Sequence, residues 1–304
     1  MINGKILAAE LNAAVTKKAH CLEVDHGITC CLAVILVGED SASQIYVRNK
    51  SKQAIKAGIK PIDFKLPEGI SELELISVIN DLNRDANVHG ILVQLPLPKQ
   101  INSDNIQRFI DPNKDVDGFH PLNVGYLNTG RRNEGFIPCT PLGCITMLKQ
   151  SLPDMRGKNA VIIGRSNIVG KPMSALLLQE DCTVTIAHSK SEALQAICKT
   201  ADILVAAVGQ PEIVRGSWIK PGATIIDVGI NRLTKKNGQT SLVGDVAFEE
   251  AKHVAHVKPA AIKDHGNWSK HDEKWAAEQM KIIEEEMQMF EEKNSQSDDE
   301  SVMI

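Results

Sequence analysis

The chain has 304 residues, of which 43% are hydrophobic and 24% charged, and its formal net charge is −4. This length allows two domains with separate cores, and the composition is typical of globular proteins. The negative charge, without any long basic block, disfavours a nucleic-acid-binding surface. The longest apolar runs, such as residues 201–208, are too short to span a bilayer.

The N-terminus and the cysteines predict a cytoplasmic location. Lys5 and Glu10 interrupt the first apolar stretch, which favours an amphipathic helix over a signal peptide. The seven cysteines are an odd number and none forms a Cys-x-x-Cys pair. We therefore predict reduced, mostly buried thiols and no metal site, nucleic-acid partner or membrane partner.

In the first half of the chain, apolar strands alternate with helical stretches, which predicts a parallel sheet with crossover helices. Strands are predicted at 31–38, 60–66 and 90–95, and helices at 41–57 and 71–83. Asp40 or Ser41 is the expected cap of the first of these helices, and Gly58 its terminator. A loop is predicted at 115–119, before the chain crosses into its second half near 137–141.

Tyr46 and Lys50 lie four residues apart on the helix predicted at 41–57, hence on one face. Such a pair serves acid–base chemistry if the helix borders a cleft and burial lowers the lysine pKa. The alternative interpretation is an ordinary solvated helix. Short-chain dehydrogenases have the same spacing, but their pair follows the dinucleotide loop, whereas this one precedes Gly164 by more than a hundred residues.

Two polar side chains follow strand ends in this half. Gln94 lies at the carboxyl end of the third predicted strand, where open sheets bind ligands, and a buried amide there needs a partner such as Lys50. Asp117 lies in the following loop, where a carboxylate can accept paired hydrogen bonds from the N–C–N edge of a pterin or guanine. The alternative for Asp117 is a plain turn, because Asp-Gly is a common turn pair.

The second half contains strands predicted near 159–164, 183–187, 202–208 and 223–228. Between the first of these and a helix opened by Pro172 lies a turn with Gly164 and Gly170. A strand, a glycine turn and a helix present backbone N–H groups and a helix dipole to a phosphate. The alternative is a turn that binds nothing, because this pattern is weak alone.

The residues after the strand at 183–187 favour NADP over NAD. NAD-specific domains place an acidic residue about 20 positions past the glycines to bind the ribose 2′-hydroxyl. This chain has His188, Ser189 and Lys190 there. A 2′-phosphate can instead form charge-assisted hydrogen bonds with Arg165 and the Ser189 hydroxyl.

Six segments, found in one order, resemble the bifunctional methylenetetrahydrofolate dehydrogenase/methenyltetrahydrofolate cyclohydrolase family over about residues 1–256. They are Tyr46-Val-Arg-Asn-Lys50, Gly90-Ile-Leu-Val-Gln-Leu-Pro-Leu-Pro98, Lys114-Asp-Val-Asp-Gly-Phe119, Pro138-Cys-Thr-Pro141, Gly164-Arg-Ser-Asn-Ile-Val-Gly-Lys-Pro172 and Asp227-Val-Gly-Ile-Asn231. The resemblance implies an α/β fold of two domains with a cleft between them. A folate-binding catalytic α/β domain with a mostly parallel sheet is expected at 1–120, and a Rossmann-type NADP-binding domain at 121–257.

The resemblance also implies an enzyme of one-carbon metabolism. Such an enzyme oxidises 5,10-methylenetetrahydrofolate with NADP and hydrolyses the methenyl product to 10-formyltetrahydrofolate. Its expected partners are tetrahydrofolate derivatives and a second copy of itself, in a homodimer. A generic NADP dehydrogenase for another small substrate is an alternative, but it leaves the segments 93–95 and 115–117 unexplained.

The family's functional residues transfer to matching positions of this chain. Lys50 matches the catalytic lysine, Gln94 its glutamine partner, and Asp117 the carboxylate that holds the pterin. The resemblance further implies substrate or cofactor contacts for a larger set: Tyr46, which packs along the pterin and joins the catalytic set, Val93 and Leu95 at the substrate, and Gly164, Arg165, Ser166, Ser189 and Ile230 at NADP.

The end of the chain departs from the family pattern. Residues 255–268 contain one proline and no Gly-Gly pair, where the family has a Thr-Pro-Val-Pro-Gly-Gly loop. Between His271 and Glu300 there are eleven acidic residues and three lysines, with apolar residues at helical spacing. We therefore predict a divergent acidic helical tail at 258–304, disordered near its end, and folate binding weaker than NADP binding. A second hypothesis follows: an inactive or impaired NADP-binding family member that uses this tail as an assembly or interaction protein.

Overall fold

The computed structural model describes residues 4–234 and 240–255, which belong to one compact unit. These residues form two parallel sheets and one antiparallel hairpin. The predicted α/β class with mostly parallel sheets is confirmed. The tail predicted at 258–304 lies outside the described residues.

The first sheet has three parallel strands in the order β2-β1-β3. The order along the chain is α1 (Gly4–His26), β1 (Cys31–Val37), α2 (Ser41–Lys56), β2 (Lys60–Leu66), α3 (Glu72–Arg84) and β3 (Gly90–Val93). Aliphatic side chains cover both faces of β1, and the last five of its seven residues are all buried. This burial explains the unbroken apolar run of that strand, because parallel sheets bury both faces.

Local signals set the helix boundaries in this half. The Asp40 carboxylate accepts a hydrogen bond from the Ser43 backbone over 2.8 Å, so Asp40 rather than Ser41 caps α2. Ser71 and Glu74 form a reciprocal capping box at the start of α3. β3 ends at Val93, two residues before the predicted end, although the Gln94 backbone still donates to the Ile35 carbonyl over 2.8 Å.

The second sheet has four parallel strands in the order β5-β4-β6-β7, as in a doubly wound fold. The chain continues through α4 (Ser103–Gln107), α5 (Pro121–Asn128), α6 (Cys139–Ser151), β4 (Asn159–Ile163), α7 (Gly170–Gln179), β5 (Thr183–Ala187), α8 (Leu194–Cys198), β6 (Ile203–Ala206), β7 (Thr224–Asp227), β8 (Asn231–Thr234), β9 (Thr240–Val243) and α9 (Phe248–Ala251). All four predicted strands are present. The β8–β9 hairpin was not predicted, because strands of four residues are too short for a clear alternating pattern.

Each sheet has its own core. In the first, Ile35, Ile79 and Ile91 are fully buried, and in the second, Ile162 and Leu176 are. The loops that contain the candidate residues follow the carboxyl ends of the strands. The predicted domain limits at residues 120 and 257 stay predictions.

Among the described residues, no helix is long and apolar enough to cross a membrane. The same part of the chain contains no cluster of three or more His, Cys, Asp or Glu side chains suited to a metal ion.

Candidate active site and cofactor loop

A hydrogen bond between α2 and the end of β3 forms the centre of the candidate site. Lys50 donates from Nζ to Oε1 of Gln94 over 3.3 Å. Gln94 donates from Nε2 to the Leu95 carbonyl over 2.7 Å, which orients its amide oxygen toward the lysine. The contact predicted from sequence is present, while the roles of the two residues stay predictions.

Asp115 and Asp117 occupy the same loop but have different surroundings. Asp115 is completely buried, and its Oδ2 accepts hydrogen bonds from the His120 backbone over 2.8 Å and from Nδ2 of Asn123 over 2.9 Å. Asp115 therefore holds the loop together. This arrangement leaves Asp117 as the carboxylate available to a ligand.

The Asp117 loop is also tied to the end of α3. The Lys114 ammonium donates to the carbonyls of Leu82, Asn83 and Asp85 over 3.1, 2.8 and 2.8 Å. These carbonyls belong to the helix end, where intrahelical partners run out and a cation is favoured. The loop residue thus acts as a cap for a helix some thirty positions earlier.

Burial raises the pKa of the Asp117 carboxyl. The nearby Lys50 charge lowers this pKa and the Asp115 charge raises it, so Lys50 and Asp117 lie within electrostatic reach of each other. A partly desolvated carboxylate forms stronger hydrogen bonds with a ligand that carries paired donors. Gly118 permits the turn after Asp117, because its φ is +68° and a Cβ there would collide with the Phe136 carbonyl.

Cys139, at the start of α6, adjoins the same groups and was not predicted as a site residue. Its Sγ donates to the Val116 carbonyl over 3.6 Å. Desolvation raises the pKa of the thiol, the Asp117 charge raises it further, and the Lys50 charge lowers it. Cys139 is thus a neutral thiol at the site, and its only sequence signal was its place in the segment 138–141.

The remaining predicted substrate contacts differ in exposure. Tyr46 lies one helical turn before Lys50 and is 49% exposed, so its ring is available to a ligand. Val93 is 1% exposed and packs in the core of the first sheet. Its side chain therefore faces the core, and only its backbone is free to contact a substrate. Leu95 is half-buried.

The turn between β4 and α7 requires glycine at two positions. Gly164 has a φ of +122°, and a Cβ there would collide with the Ala207 carbonyl oxygen. A Cβ on Gly170 would collide with the Gly164 carbonyl. The two glycines therefore let three backbone segments meet at the carboxyl edge of the second sheet.

Ser166 builds the turn itself. Its Oγ accepts hydrogen bonds from the backbone N–H groups of Val169 over 3.1 Å and Gly170 over 3.4 Å. This hydroxyl therefore satisfies donors at the start of α7 in place of a classical cap residue.

The other predicted cofactor residues share one edge of the second sheet. Arg165, Ser189 and Ile230 follow the ends of β4, β5 and β7 by two or three residues, and all three are exposed. Since parallel strands end at the same edge, these side chains border one surface. Glycines that allow close backbone approach, with exposed cationic and hydroxyl groups beside them, fit a dinucleotide with a 2′-phosphate.

Asp245 organises this edge and was not predicted from sequence. It is completely buried, and its carboxylate accepts hydrogen bonds from the three backbone N–H groups of residues 208–210 over 2.7–3.0 Å. It also accepts one from Nδ2 of Asn231 over 2.9 Å. The loop after β6 is thereby fixed to the base of the hairpin.

Asp227 continues this network. Its carboxylate accepts backbone hydrogen bonds from Gly229, Asp245 and Val246 over 2.9–3.1 Å. Burial raises the pKa of Asp227, and these N–H groups lower it. The two aspartates together fix the loops that follow β6 and β7.

Replacing Asp245 with alanine should therefore destabilise the protein by about 3 kcal/mol or more, because four donors lose their partner in a buried place. Urea unfolding followed by circular dichroism measures this change. Asp154→Ala is the matched control, because that carboxylate is exposed and, among the residues that the structure describes, pairs only with the exposed Arg156. Equal unfolding midpoints for the two variants would contradict the assigned role of Asp245.

Comparison with known proteins gives the family. Residues 2–117 match the model of the tetrahydrofolate dehydrogenase/cyclohydrolase catalytic domain, and residues 138–263 match that of the corresponding NAD(P)-binding domain. The chain belongs to the tetrahydrofolate dehydrogenase/cyclohydrolase family. Among its relatives are bifunctional protein FolD 2 of Paracoccus denitrificans, 55% identical over 84% of this chain and 83% of the relative, and a FolD of Cereibacter sphaeroides, 56% identical over 84% and 85%.

Solved structures of tetrahydrofolate dehydrogenase/cyclohydrolases agree. The bifunctional FolD of Campylobacter jejuni is 46% identical, with a TM-score of 0.80 over 85% of this chain and 89% of that one. The Trypanosoma brucei enzyme, solved with NADP and an inhibitor, is 36% identical, with a TM-score of 0.78 over 84% and 88%. The predicted family and the two-domain fold with an NAD(P)-binding domain are confirmed, and NADP is supported as the cofactor.

Proposed function

We propose that this chain catalyses both reactions of its family at a single site, with Lys50 as the group that transfers protons. The reactions are the NADP-dependent oxidation of 5,10-methylenetetrahydrofolate and the hydrolysis of the methenyl product to 10-formyltetrahydrofolate. The observation that carries this proposal is the Lys50–Gln94 hydrogen bond within electrostatic reach of Asp117. The relatives that are 55–56% identical and are named bifunctional support it.

Lys50 and Gln94 suit the hydrolytic step. The methenyl group is a delocalised cation and already electrophilic, so its hydrolysis mainly needs a positioned water and a proton shuttle. Water oxygen bonds to the methenyl carbon, one carbon–nitrogen bond breaks, and the nitrogen that leaves gains a proton. The Lys50 amine takes one proton from the water and returns it to that nitrogen. The other water proton is released to solvent as the hydroxyl becomes the formyl carbonyl, because the cation is converted to a neutral product. Gln94 holds the lysine in place.

Asp117 and Tyr46 suit substrate positioning. The Asp117 carboxylate accepts two hydrogen bonds from the amino group and neighbouring N–H of the pterin, and the exposed Tyr46 ring packs along it. When bound, NADP accepts the hydride. For that step the protein's task is to hold the methylene carbon close to the cofactor, which is a matter of positioning.

The cofactor preference has its own test. Arg165→Gln should reduce the preference for NADP over NAD by about tenfold or more, because one charge-assisted hydrogen bond to the 2′-phosphate is lost. Calorimetric titration of both cofactors measures this ratio. Arg156→Gln, which removes an exposed arginine paired with Asp154, should leave the ratio unchanged. An unchanged ratio in the Arg165 variant would remove Arg165 from the 2′-phosphate site.

The function itself is tested by mixing the full chain with methylenetetrahydrofolate and NADP and following methenyl absorbance. Formation and subsequent decay of the methenyl product are expected. If the chain binds NADP but forms no methenyl product, the proposed enzymatic activity is wrong, and the alternative of an inactive NADP-binding family member is favoured. The comparisons give no support to that alternative.

We also propose a homodimer in the cytoplasm. Ile186 on the edge strand β5 is 38% exposed and Leu242 on the hairpin is 71% exposed, which offers apolar surface for a second copy. Sedimentation equilibrium of the purified chain tests the dimer. The cytoplasmic location is supported by the seven cysteines, all of which are free thiols, and cell fractionation tests it.

A further inference from the structure

A cavity of about 530 Å³ lies among α4, α5 and the start of α7. Neither Lys50 nor Asp117 lines this cavity. It borders the candidate active site through Leu95 and the Asp117 loop through Phe119, and residues 167–168 and 171–172 of the cofactor turn also contribute to its wall. Its apolar walls also include Val124 and Ile168. A cavity of this size and character matches sites that enclose small organic ligands.

One buried side chain in the cavity wall has unsatisfied hydrogen-bonding groups. Gln107 is 7% exposed, and among the described residues neither its Oε1 nor its Nε2 has a hydrogen-bond partner. Buried amides are almost always paired, because an unpaired one loses its hydration without compensation. The helix that carries Gln107 is fixed by the Asn102 side chain, which accepts from the Asp104 and Asn105 backbones over 3.0 and 3.2 Å. The amide is thus held in the wall of the cavity with one donor group and one acceptor group free.

Charged side chains at the rim of the cavity indicate which charged and polar groups the ligand carries. Arg108 and Lys171 are exposed, and Arg108 forms no ion pair within the described part of the chain. Lys171 donates to Oδ1 of Asn167 over 2.7 Å, which leaves further donors of its ammonium for a ligand. The Asp104 carboxylate lies on the same rim and suits an exocyclic amino group.

We propose that this cavity binds an anionic heteroaromatic ligand containing a 2-aminopyrimidinone ring. The ring N–H and carbonyl pair with the Gln107 amide, Phe119 packs on the ring, and the anionic group binds Arg108 and Lys171. Guanine nucleotides and folates share this ring and both carry an anionic group. The cavity is a second ligand site, distinct from the catalytic one proposed above.

Calorimetry on the full chain tests this site, with the cofactor site saturated by NADP. Guanosine monophosphate and folic acid are the two probes. Folic acid is also titrated into Asp117→Asn, because binding at the proposed catalytic site would be weakened there and binding in the cavity would not. The natural ligand is of the same class as the probe that binds saturably with one equivalent. For folic acid, the affinity must also be the same in Asp117→Asn as in the parent chain.

Gln107→Leu should lower the affinity for that probe by at least about tenfold, because two hydrogen bonds are lost. The same variant should melt at a higher temperature, because leucine removes an unpaired buried amide, and this shift shows that the variant is folded. Arg108→Gln should weaken binding several-fold, whereas Arg84→Gln, an exposed arginine on α3, should not. Methenyl formation by Gln107→Leu should be unchanged, which keeps this test separate from that of the catalytic function.

Two outcomes overturn the proposal. One is the absence of saturable binding by both probes. The other is equal affinity of the parent chain and Gln107→Leu for whichever probe binds.

Discussion

Replacing Lys50 with methionine is expected to slow methenyltetrahydrofolate hydrolysis by about 10²–10⁴-fold, the usual contribution of a positioned proton-transfer group. Methionine has a similar length, so the packing of α2 is largely kept, while the hydrogen bond to Gln94 is lost. NADP affinity should stay nearly constant, because Lys50 does not border the glycine turn. Decay of methenyl absorbance measures the first quantity, and calorimetry the second.

Lys52→Met is the matched control for this experiment. Lys52 is an exposed lysine on the same helix, two residues further along, and it therefore points away from the face of Lys50. The control variant should hydrolyse the methenyl compound at the parental rate. If Lys50→Met also does so, the proton-transferring group is another residue and the proposed mechanism is wrong.

Gly164→Ala is expected to cause the second large effect. The new Cβ would meet the Ala207 carbonyl oxygen, and the φ of +122° is strained for any other residue. The β4–α7 turn must shift, so we expect a loss of stability of about 2–4 kcal/mol and a loss of most NADP affinity. Denaturant unfolding and cofactor titration measure the two effects.

Gly143→Ala gives the comparison. Gly143 lies within α6, where an added Cβ meets no atom within 4 Å. Alanine is favoured over glycine inside a helix, so this variant should be as stable as the parent or slightly more so. If Gly164→Ala binds NADP as tightly as Gly143→Ala does, close backbone approach at the turn is not required for the cofactor.

The fold was largely predictable because its signals are local. Fully buried parallel strands leave unbroken apolar runs, which located β1 and β4 within one residue. The strand at 60–66 and the helix that follows the Ser71 capping box were likewise found from short-range patterns. The contact between Lys50 and Gln94 was predictable from the topology. Lys50 lies on α2, which follows β1, and Gln94 directly follows β3, so a parallel sheet brings both residues to the carboxyl edge of the strands.

The rest of the site depends on contacts between distant parts of the chain. Asp245 accepts hydrogen bonds from the backbone of residues 208–210, more than thirty positions away. The sequence around Asp245 contains no pattern that predicts this contact. Ser166 was predicted to contact the cofactor, and this stays a prediction. In the structure its hydroxyl accepts a hydrogen bond from the Val169 backbone N–H at the start of α7. Cys139 became a site residue only when the fold placed it beside Asp117.

The Lys114 cap has a consequence for motion in the native state. Because its ammonium holds three carbonyls at the end of α3, the last turn of that helix cannot fray without releasing the loop that positions Asp117. We therefore expect the two segments to open as one cooperative unit, with a shared amide-exchange rate. A ligand held by Asp117 should slow this opening, so we expect folate to protect backbone amides at the end of α3 from exchange.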